Sequence, residues 1–292
     1  MLFQILLNGI AAGSLYALVA VGYNILYRPT NVFNFAQGDF VMLGAMIGAS
    51  VATLYGLPWY VAAAASALAV GILGGIEQKI AVGPILRRST SSHAWIISTL
   101  AVSLILANLV GLFWGPDPIR LQPPWPLSVR TFQVLGIRMS SYQIALIAGT
   151  VAAVFLIERF YRSRRGRAVL AVAEDRDAAL LRGIDPERLS FWSFVLGGMF
   201  AGLTGVLAAP MLYASVGLAP VVLIKGFEAA AIGGIGNNRG ALLAGYILGI
   251  AEAFSAVVLS PGYQQATTFG LMLLILLVRP QGLLGQRETR YV

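Results

Sequence analysis

The residues able to do chemistry in this sequence are few, and several of them sit where charge is expensive. Lys225 and Glu228 lie inside one apolar run, and Glu252 is the single acid of the next. A charge within a membrane span costs about 2.5–3.5 kcal/mol on insertion scales, and an intramembrane acid is a functional-site candidate by default. Spaced i,i+3, Lys225 and Glu228 can neutralise each other on one helix face; the alternatives are a polar lining or an interhelical lock. A glycine-rich turn with Gly233 and Gly234 follows them. A second constellation, Asn31-Val-Phe-Asn-Phe-Ala-Gln-Gly-Asp-Phe40, separates the first two apolar runs. Asp39 either caps the helix that follows, or the segment breaks a helix beside a path, with Asn34, Gln37, Gly38 and Asp39 as gate or pore positions. The third constellation is Arg164 to Ile184. It reads as one short amphipathic helix with a small-residue face at Ala171, Ala178 and Ala179, ended by Gly183 in the left-handed conformation. Asp185 and Pro186 then serve as N-cap and first residue of the next helix. The helix is either a solvated connector or a surface that buries its Ala/Leu face against something.

Enzyme chemistry finds no residues. There is no cysteine, hence no thiolate, disulfide or cysteine metal site, and His93 is the only histidine, too few for a histidine metal cluster. No Gly-x4-Gly-Lys-Ser/Thr loop, G-x-S-x-G or HExxH occurs, and the only lysines are Lys79 and Lys225. No catalytic residue, metal ligand or cofactor site is assigned, and the chain does not hydrolyse ATP itself.

The elements that must position these groups follow from composition. Of the 292 residues 58% are hydrophobic and 11% charged, against roughly 45–50% and about 25% in soluble domains. That excludes a soluble enzyme, a nucleic-acid-binding domain and a disordered segment. Apolar stretches at 3–27, 39–56, 58–78, 93–114, 141–160, 191–213, 217–236, 241–259 and 263–278 predict an all-α polytopic transmembrane bundle of about eight to nine spans in one domain. The first stretch reads as a retained span rather than a cleaved signal. The net charge of +8 marks orientation, not nucleic acid, because basic residues collect between spans. Arg159, Arg162, Arg164, Arg165, Arg167, Arg176, Arg182 and Arg188 put 159–190 inside, and Arg87 and Arg88 do the same for 79–92. The loop 115–140, stiffened by Pro116, Pro118, Pro123, Pro124 and Pro126, is then outside, as is the N-terminus. Arg239, Arg279, Arg287 and Arg290 fall inside only if 217–236 crosses. That is the weakest span, and a broken or re-entrant helix there needs protein around it.

Glycine pairs at Gly9/Gly13, Gly44/Gly48, Gly71/Gly75, Gly198/Gly202 and Gly245/Gly249 predict tight helix crossings. A faint internal repeat is also present. One ungapped offset pairs Gly9, Ala12, Gly13, Leu18 and Ala20 with Gly198, Ala201, Gly202, Leu207 and Ala209, and Asp39 with Glu228. The charge-derived orientation makes it an inverted repeat.

Gly166-Arg-Ala-Val-Leu-Ala-Val-Ala-Glu-Asp-Arg-Asp-Ala-Ala-Leu-Leu-Arg-Gly-Ile184 resembles the cytoplasmic loop of branched-chain amino acid permeases of bacterial ABC importers, the LivH-type more closely. Asn8-Gly-Ile-Ala-Ala-Gly-Ser-Leu-Tyr-Ala-Leu18, Asn34-Phe-Ala-Gln-Gly-Asp-Phe-Val-Met-Leu-Gly-Ala45, Gly233-Gly-Ile-Gly-Asn-Asn-Arg-Gly-Ala-Leu-Leu-Ala-Gly245 and Arg279-Pro-Gln-Gly-Leu-Leu-Gly285 are similar to further family motifs. Gln37 departs from a common histidine, and Asn237-Asn238 from a Ser/Pro-type pair, which bears on substrate identity.

The resemblance implies a multi-pass protein of the bacterial inner membrane, with a coupling loop at 162–190 and a periplasmic loop at 115–140. It implies a related LivM-type or identical second permease, two ATP-binding subunits that carry the ATP and magnesium, a periplasmic substrate-binding protein, the lipid bilayer as surroundings and no nucleic acid. Gly166, Arg167, Ala171, Glu174, Asp175, Ala178, Leu181, Gly183 and Ile184 would couple to the ATPases. Asn34, Gln37, Gly38, Asp39, Lys225, Glu228, Gly233, Gly234 and Glu252 would form pathway or gate. Substrates in the family include leucine, isoleucine, valine, other amino acids, urea and short amides. Two rivals are an ion-coupled transporter using Lys225, Glu228 and Glu252, and a channel, against which the 166–184 helix argues.

Overall fold

The computed structural model describes residues 2–88, 94–123, 127, 130–134 and 137–285. His93, Pro124, Pro126, Arg287 and Arg290 lie outside the described residues. The chain runs through α1 (Leu2–Thr30), α2 (Gln37–Thr53), α3 (Trp59–Glu77) continued by a π-helical turn (Gln78–Val82), α4 (Gly83–Arg88), and α5 (Ala94–Trp114). A hairpin of β1 (Thr131–Val134) and β2 (Ile137–Ser140) leads into α6 (Ser141–Tyr161), α7 (Arg164–Glu174), α8 (Arg176–Leu181) and α9 (Pro186–Leu212). Then come α10 (Leu218–Gly233), α11 (Asn238–Val258) and α12 (Gln264–Val278).

Local chemistry sets many boundaries. Ser140 and Gln143 form a reciprocal capping box at α6, and Asn237 caps α11. Asp185 caps α9 with Pro186 in its first turn, and Gly183 has φ +78°, both as the sequence predicts. Two expectations are corrected. The single helix over 164–184 is two helices. Asp175 is extended (φ −151°, ψ 111°), and its Oδ1 accepts the N–H groups of Asp177 and Ala178 at 2.9 Å. That bond starts a new helix and competes with continuing the old one. Nor is Asp39 an N-cap: α2 begins at Gln37, so Asp39 lies inside its first turn, and Asn34 Oδ1 accepts Ala36 N–H instead.

Among the described residues, seven helical segments are long and apolar enough to cross a membrane. The stretches 39–56 and 217–236 form shorter helices of 17 and 16 residues, roughly 26 and 24 Å long at ~1.5 Å per residue. A hydrocarbon core is about 30 Å thick. Both are wrapped by protein: Gln37–Met42 and Glu228–Gly233 are buried throughout.

The glycine pairs all lie at helix crossings. A Cβ on Gly9 would stand 2.6 Å from Ile250 Cα, and one on Gly44 would stand 2.5 Å from Gly202 Cα. Without a hydrophobic drive between helices, this closeness supplies the dispersion contact that holds them. The packing has the symmetry of the faint repeat. The two most extensive interfaces are α1 on α11 and α3 on α9; α1 also meets α10 as α9 meets α2. Gly22 faces Phe200 while Gly197 faces Leu26, so α1 and α9 are antiparallel. α1 sits at the centre, and α5 and α12 are the least covered of the spanning helices. Their outward faces carry Leu112 and Phe113, and Leu277 and Val278, all more than 70% exposed, an arrangement suited to lipid or a second apolar chain.

Candidate functional site

On the short helix α10, Lys225 and Glu228 point into the protein and meet three other helices. Lys225 Nζ donates to Thr268 Oγ1 of α12 at 2.8 Å, lies 3.4 Å from Glu252 Oε2 of α11 and 3.8 Å from Glu228 Oε2. Tyr16 of α1 donates its hydroxyl to Glu252 Oε2 at 2.8 Å. The i,i+3 pair thus forms, yet Lys225 stands nearer Glu252: the charges lock α10 to α11 and α12. One ammonium faces two carboxylates, and Glu228 Oε2 accepts no hydrogen bond. Buried charges persist only when paired and hydrogen-bonded, and here two acids share one ammonium, Glu228 Oε1 accepting only a long bond of 3.5 Å from Thr268. A cavity of about 410 Å³ adjoins it, lined by Lys225 and Glu252, by Pro220, Val221 and Ile224, and by the turn before α12.

The Asn31–Phe40 segment builds a second buried polar cluster. Asn31 at φ 54° ends α1, and the Phe33 ring stacks on Tyr23 at 4.5 Å and meets Phe227 edge-on at 5.2 Å. Asn34 Nδ2 donates to Glu77 Oε2 at 2.7 Å. No basic residue pairs with Glu77 among the described residues. Asp39 is buried beside them, and Gln37, fully buried, leaves both side-chain polar atoms without a partner. Gly38 lets the start of α2 touch α10: a Cβ there would stand 2.5 Å from Ala219 O. The structure therefore brings Asn34, Asp39 and Gln37 to one side of α10's first half and Lys225, Glu228 and Glu252 to another. Gly233 and Gly234 belong to neither group. They permit a backbone crossing where Leu283 N–H donates to Ile232 O at 2.7 Å, with Gly234 at φ +95°.

The arginine-rich end is tied together by Glu158. Arg239 lies 3.6 Å and Arg28 4.0 Å from its carboxylate, and Asn238 Nδ2 donates to it at 3.3 Å. Arg28 also donates to Gly236 O at 2.6 Å and covers the Tyr161 ring. Beside this hub, α7 packs inward through Gly166, Val169 and Val172, Gly166 seating on the backbone of Phe160 and Tyr161. Arg167, Glu174, Asp175 and Gly183 face out; Ala171, Ala178 and Ile184 are half-buried. Ala179 is buried in this chain, so the small-residue face is partly used internally. The apolar side chains left most open there are Leu180 and Leu181, the latter 90% exposed.

Sequence reasoning missed Tyr16, Thr268, Glu77 and Glu158. Glu77 and Glu158, acids at the ends of apolar runs, carried a readable signal; a tyrosine and a threonine inside such runs carry none.

Comparison with known proteins shows what the chain as a whole resembles. The family described as "Branched-chain amino acid transport system / permease component" matches residues 5–277. The high-affinity branched-chain amino acid transport system permease protein BraD of Pseudomonas aeruginosa is 34% identical over 99% of this chain and 97% of its own. The permease protein LivH of Escherichia coli is 33% identical over the same shares, and LivM of that organism is 26% identical over 92% of this chain and 68% of its own. Among solved structures, PsaBC from Streptococcus pneumoniae in complex with Fab aligns with a TM-score of 0.51 at 13% identity, covering 95% of this chain and 93% of that one, a likeness of fold.

Proposed function

The chain belongs to the branched-chain amino acid transport permease family, and from that membership we propose that it is a translocating subunit of a bacterial ABC importer. In this reading it passes branched-chain or similar apolar amino acids through the inner membrane, driven by separate ATP-binding subunits. A second permease chain, related like LivM or identical, completes the pathway. Two ATPases hold the ATP and magnesium, and a periplasmic binding protein delivers substrate. Family names support the substrate, and the positive-inside rule supports the sidedness: the Glu158–arginine end is cytoplasmic, and the β1–β2 end, with the N-terminus, is outside. The permease forms one domain in this reading.

The observation that carries the coupling role is the exposed Leu180–Leu181 corner. Apolar residues that project into water beside a glycine stop, on the cytoplasmic side, are an unfilled contact. An ATPase cleft closing on that corner would move α7, hence α1 and α6, against the rest of the bundle, with Arg167, Ala171, Glu174, Asp175, Ala178 and Ile184 around the contact. Different contacts in two states are all that such coupling requires. Asn34, Gln37, Gly38 and Asp39 then line one side of the path and Lys225, Glu228 and Glu252 another, while Gly233 and Gly234 shape the backbone at the end of α10.

Reconstitution with the ATPases and binding protein tests the proposal. Leucine uptake should require ATP and persist when proton and sodium gradients are collapsed. Leu181→Glu should insert normally yet lose both uptake and binding-protein-stimulated ATP hydrolysis, because it places an unpaired charge in an apolar contact. Gradient-driven uptake without ATP would establish the ion-coupled alternative, and uptake of urea or short amides alone would move the substrate within the family.

A further inference from the structure

The cavity between α10, α11 and the turn before α12 has three kinds of wall in one place. Pro220, Val221 and Ile224 give an aliphatic side, Lys225 an ammonium and Glu252 a carboxylate. Its volume of about 410 Å³ is within the ~300–1,000 Å³ of small-molecule sites. Pro261, Gly262, Gln264 and Gln265 line it at the end opposite the arginines. α11 runs antiparallel to α1, Gly9 facing Gly249 and Gly13 facing Gly245, so α11 finishes beside the N-terminus of α1.

We propose that this outward cavity binds the zwitterion of an apolar α-amino acid, with its carboxylate on Lys225, its ammonium on Glu252 and its alkyl chain against Pro220, Val221 and Ile224. The inference rests on the permease reading above and adds the site and its selectivity. Electrostatics favour the ligand in a specific way. In the empty cavity Lys225 serves two carboxylates, at 3.4 and 3.8 Å. With the zwitterion seated, charges alternate: Glu228, Lys225, ligand carboxylate, ligand ammonium, Glu252. Every charge then has an opposite neighbour, which a low-dielectric site rewards. Tyr16 already fixes Glu252 by bonding Oε2, leaving Oε1 without a protein partner among the described residues and available to an ammonium. A side chain bearing its own charge would lie against the aliphatic wall unpaired, at high cost.

Binding of tritiated leucine to the full chain in lipid nanodiscs, without binding protein or ATPases, tests the site. Isoleucine and valine should compete. Leucinamide, which lacks the carboxylate, and 4-methylpentanoate, which lacks the ammonium, should compete at least roughly tenfold more weakly, the loss expected for a charged hydrogen bond. Glu252→Gln should weaken leucine by a similar factor and erase its advantage over 4-methylpentanoate. Since that variant touches a buried network, Val221→Trp is the independent arm. Val221 is 47% exposed, so tryptophan should fill the cavity with unchanged melting temperature and abolish leucine binding. Wild-type leucine binding in Val221→Trp, no binding by the wild type, or equal competition by all three ligands each overturns the proposal. The reconstituted importer separates the two failures. ATP-driven leucine uptake undiminished by Val221→Trp removes the cavity and leaves the permease reading standing. Leucine held by the cavity with no ATP-driven uptake upholds the site and removes the reading.

Discussion

Gly245→Ala adds one methyl group at the most extensive interface of the bundle, where α11 crosses α1. A Cβ built on Gly245 stands 2.7 Å from Gly13 O, 2.8 Å from Ala17 N and 2.8 Å from Ala17 Cβ. Ordinary contact begins at 3.4 Å, so the new atom is about 0.6–0.7 Å too close to two backbone atoms of a neighbouring helix. Backbone cannot rotate out of the way as a side chain can, so α1 and α11 must separate along their length. Overpacking of this kind costs about 1–3 kcal/mol, and the separation also surrenders close contacts at Gly9 and Gly249. Gly270→Ala is the matched control: the same atom is added to a helix, α12, where nothing lies within 4 Å. Thermal unfolding followed by fluorescence-detected size exclusion should show Gly245→Ala melting well below wild type and Gly270→Ala at or slightly above it. Gly245→Leu should fail to assemble. Equal melting of the two alanine variants would refute the close crossing of α1 and α11 as the source of bundle stability.

Three further outcomes are expected. Asp175→Ala removes both capping bonds to α8 and should cost that helix about 0.5–2 kcal/mol, read as faster protease cleavage between Glu174 and Gly183 with unchanged membrane insertion; unaltered cleavage would count against the break at Asp175. Glu77→Gln keeps an acceptor for Asn34 Nδ2 and should leave melting near wild type, whereas Glu77→Leu strands that buried amide and should lose about 1–3 kcal/mol; identical melting of the two would remove the Asn34–Glu77 bond from the folded state. A fluorescent reporter that matures only in the cytoplasm should glow when fused after Val292, and a dark but inserted fusion would invert the charge-based orientation.

Much of this architecture is legible one residue at a time because it is local or compositional. An 11% charged chain must live in lipid, and lipid-embedded helices must approach through small residues, so the glycine pairs point to the crossings where they are found. Gly183 and Asp185-Pro186 mark a stop and a start because their backbone preferences act within a turn. Asp175 was equally local but hidden, since the helix formers on both sides of it make an interior acid and a cap look alike. Hydropathy counts apolar residues without sensing where the chain folds back, so the shortness of α2 could not be read, whereas 217–236, with Lys225 and Glu228 inside it, already stood out as the weakest span. Convergence belongs to the tertiary structure alone. Tyr16, Lys225, Glu252 and Thr268 are far apart in the chain and individually unremarkable or ambiguous. Only the packing of α1, α10, α11 and α12 places one ammonium among them within 4 Å of two carboxylates, because side-chain partners across helices are chosen by crossing geometry, which no periodicity within a helix encodes.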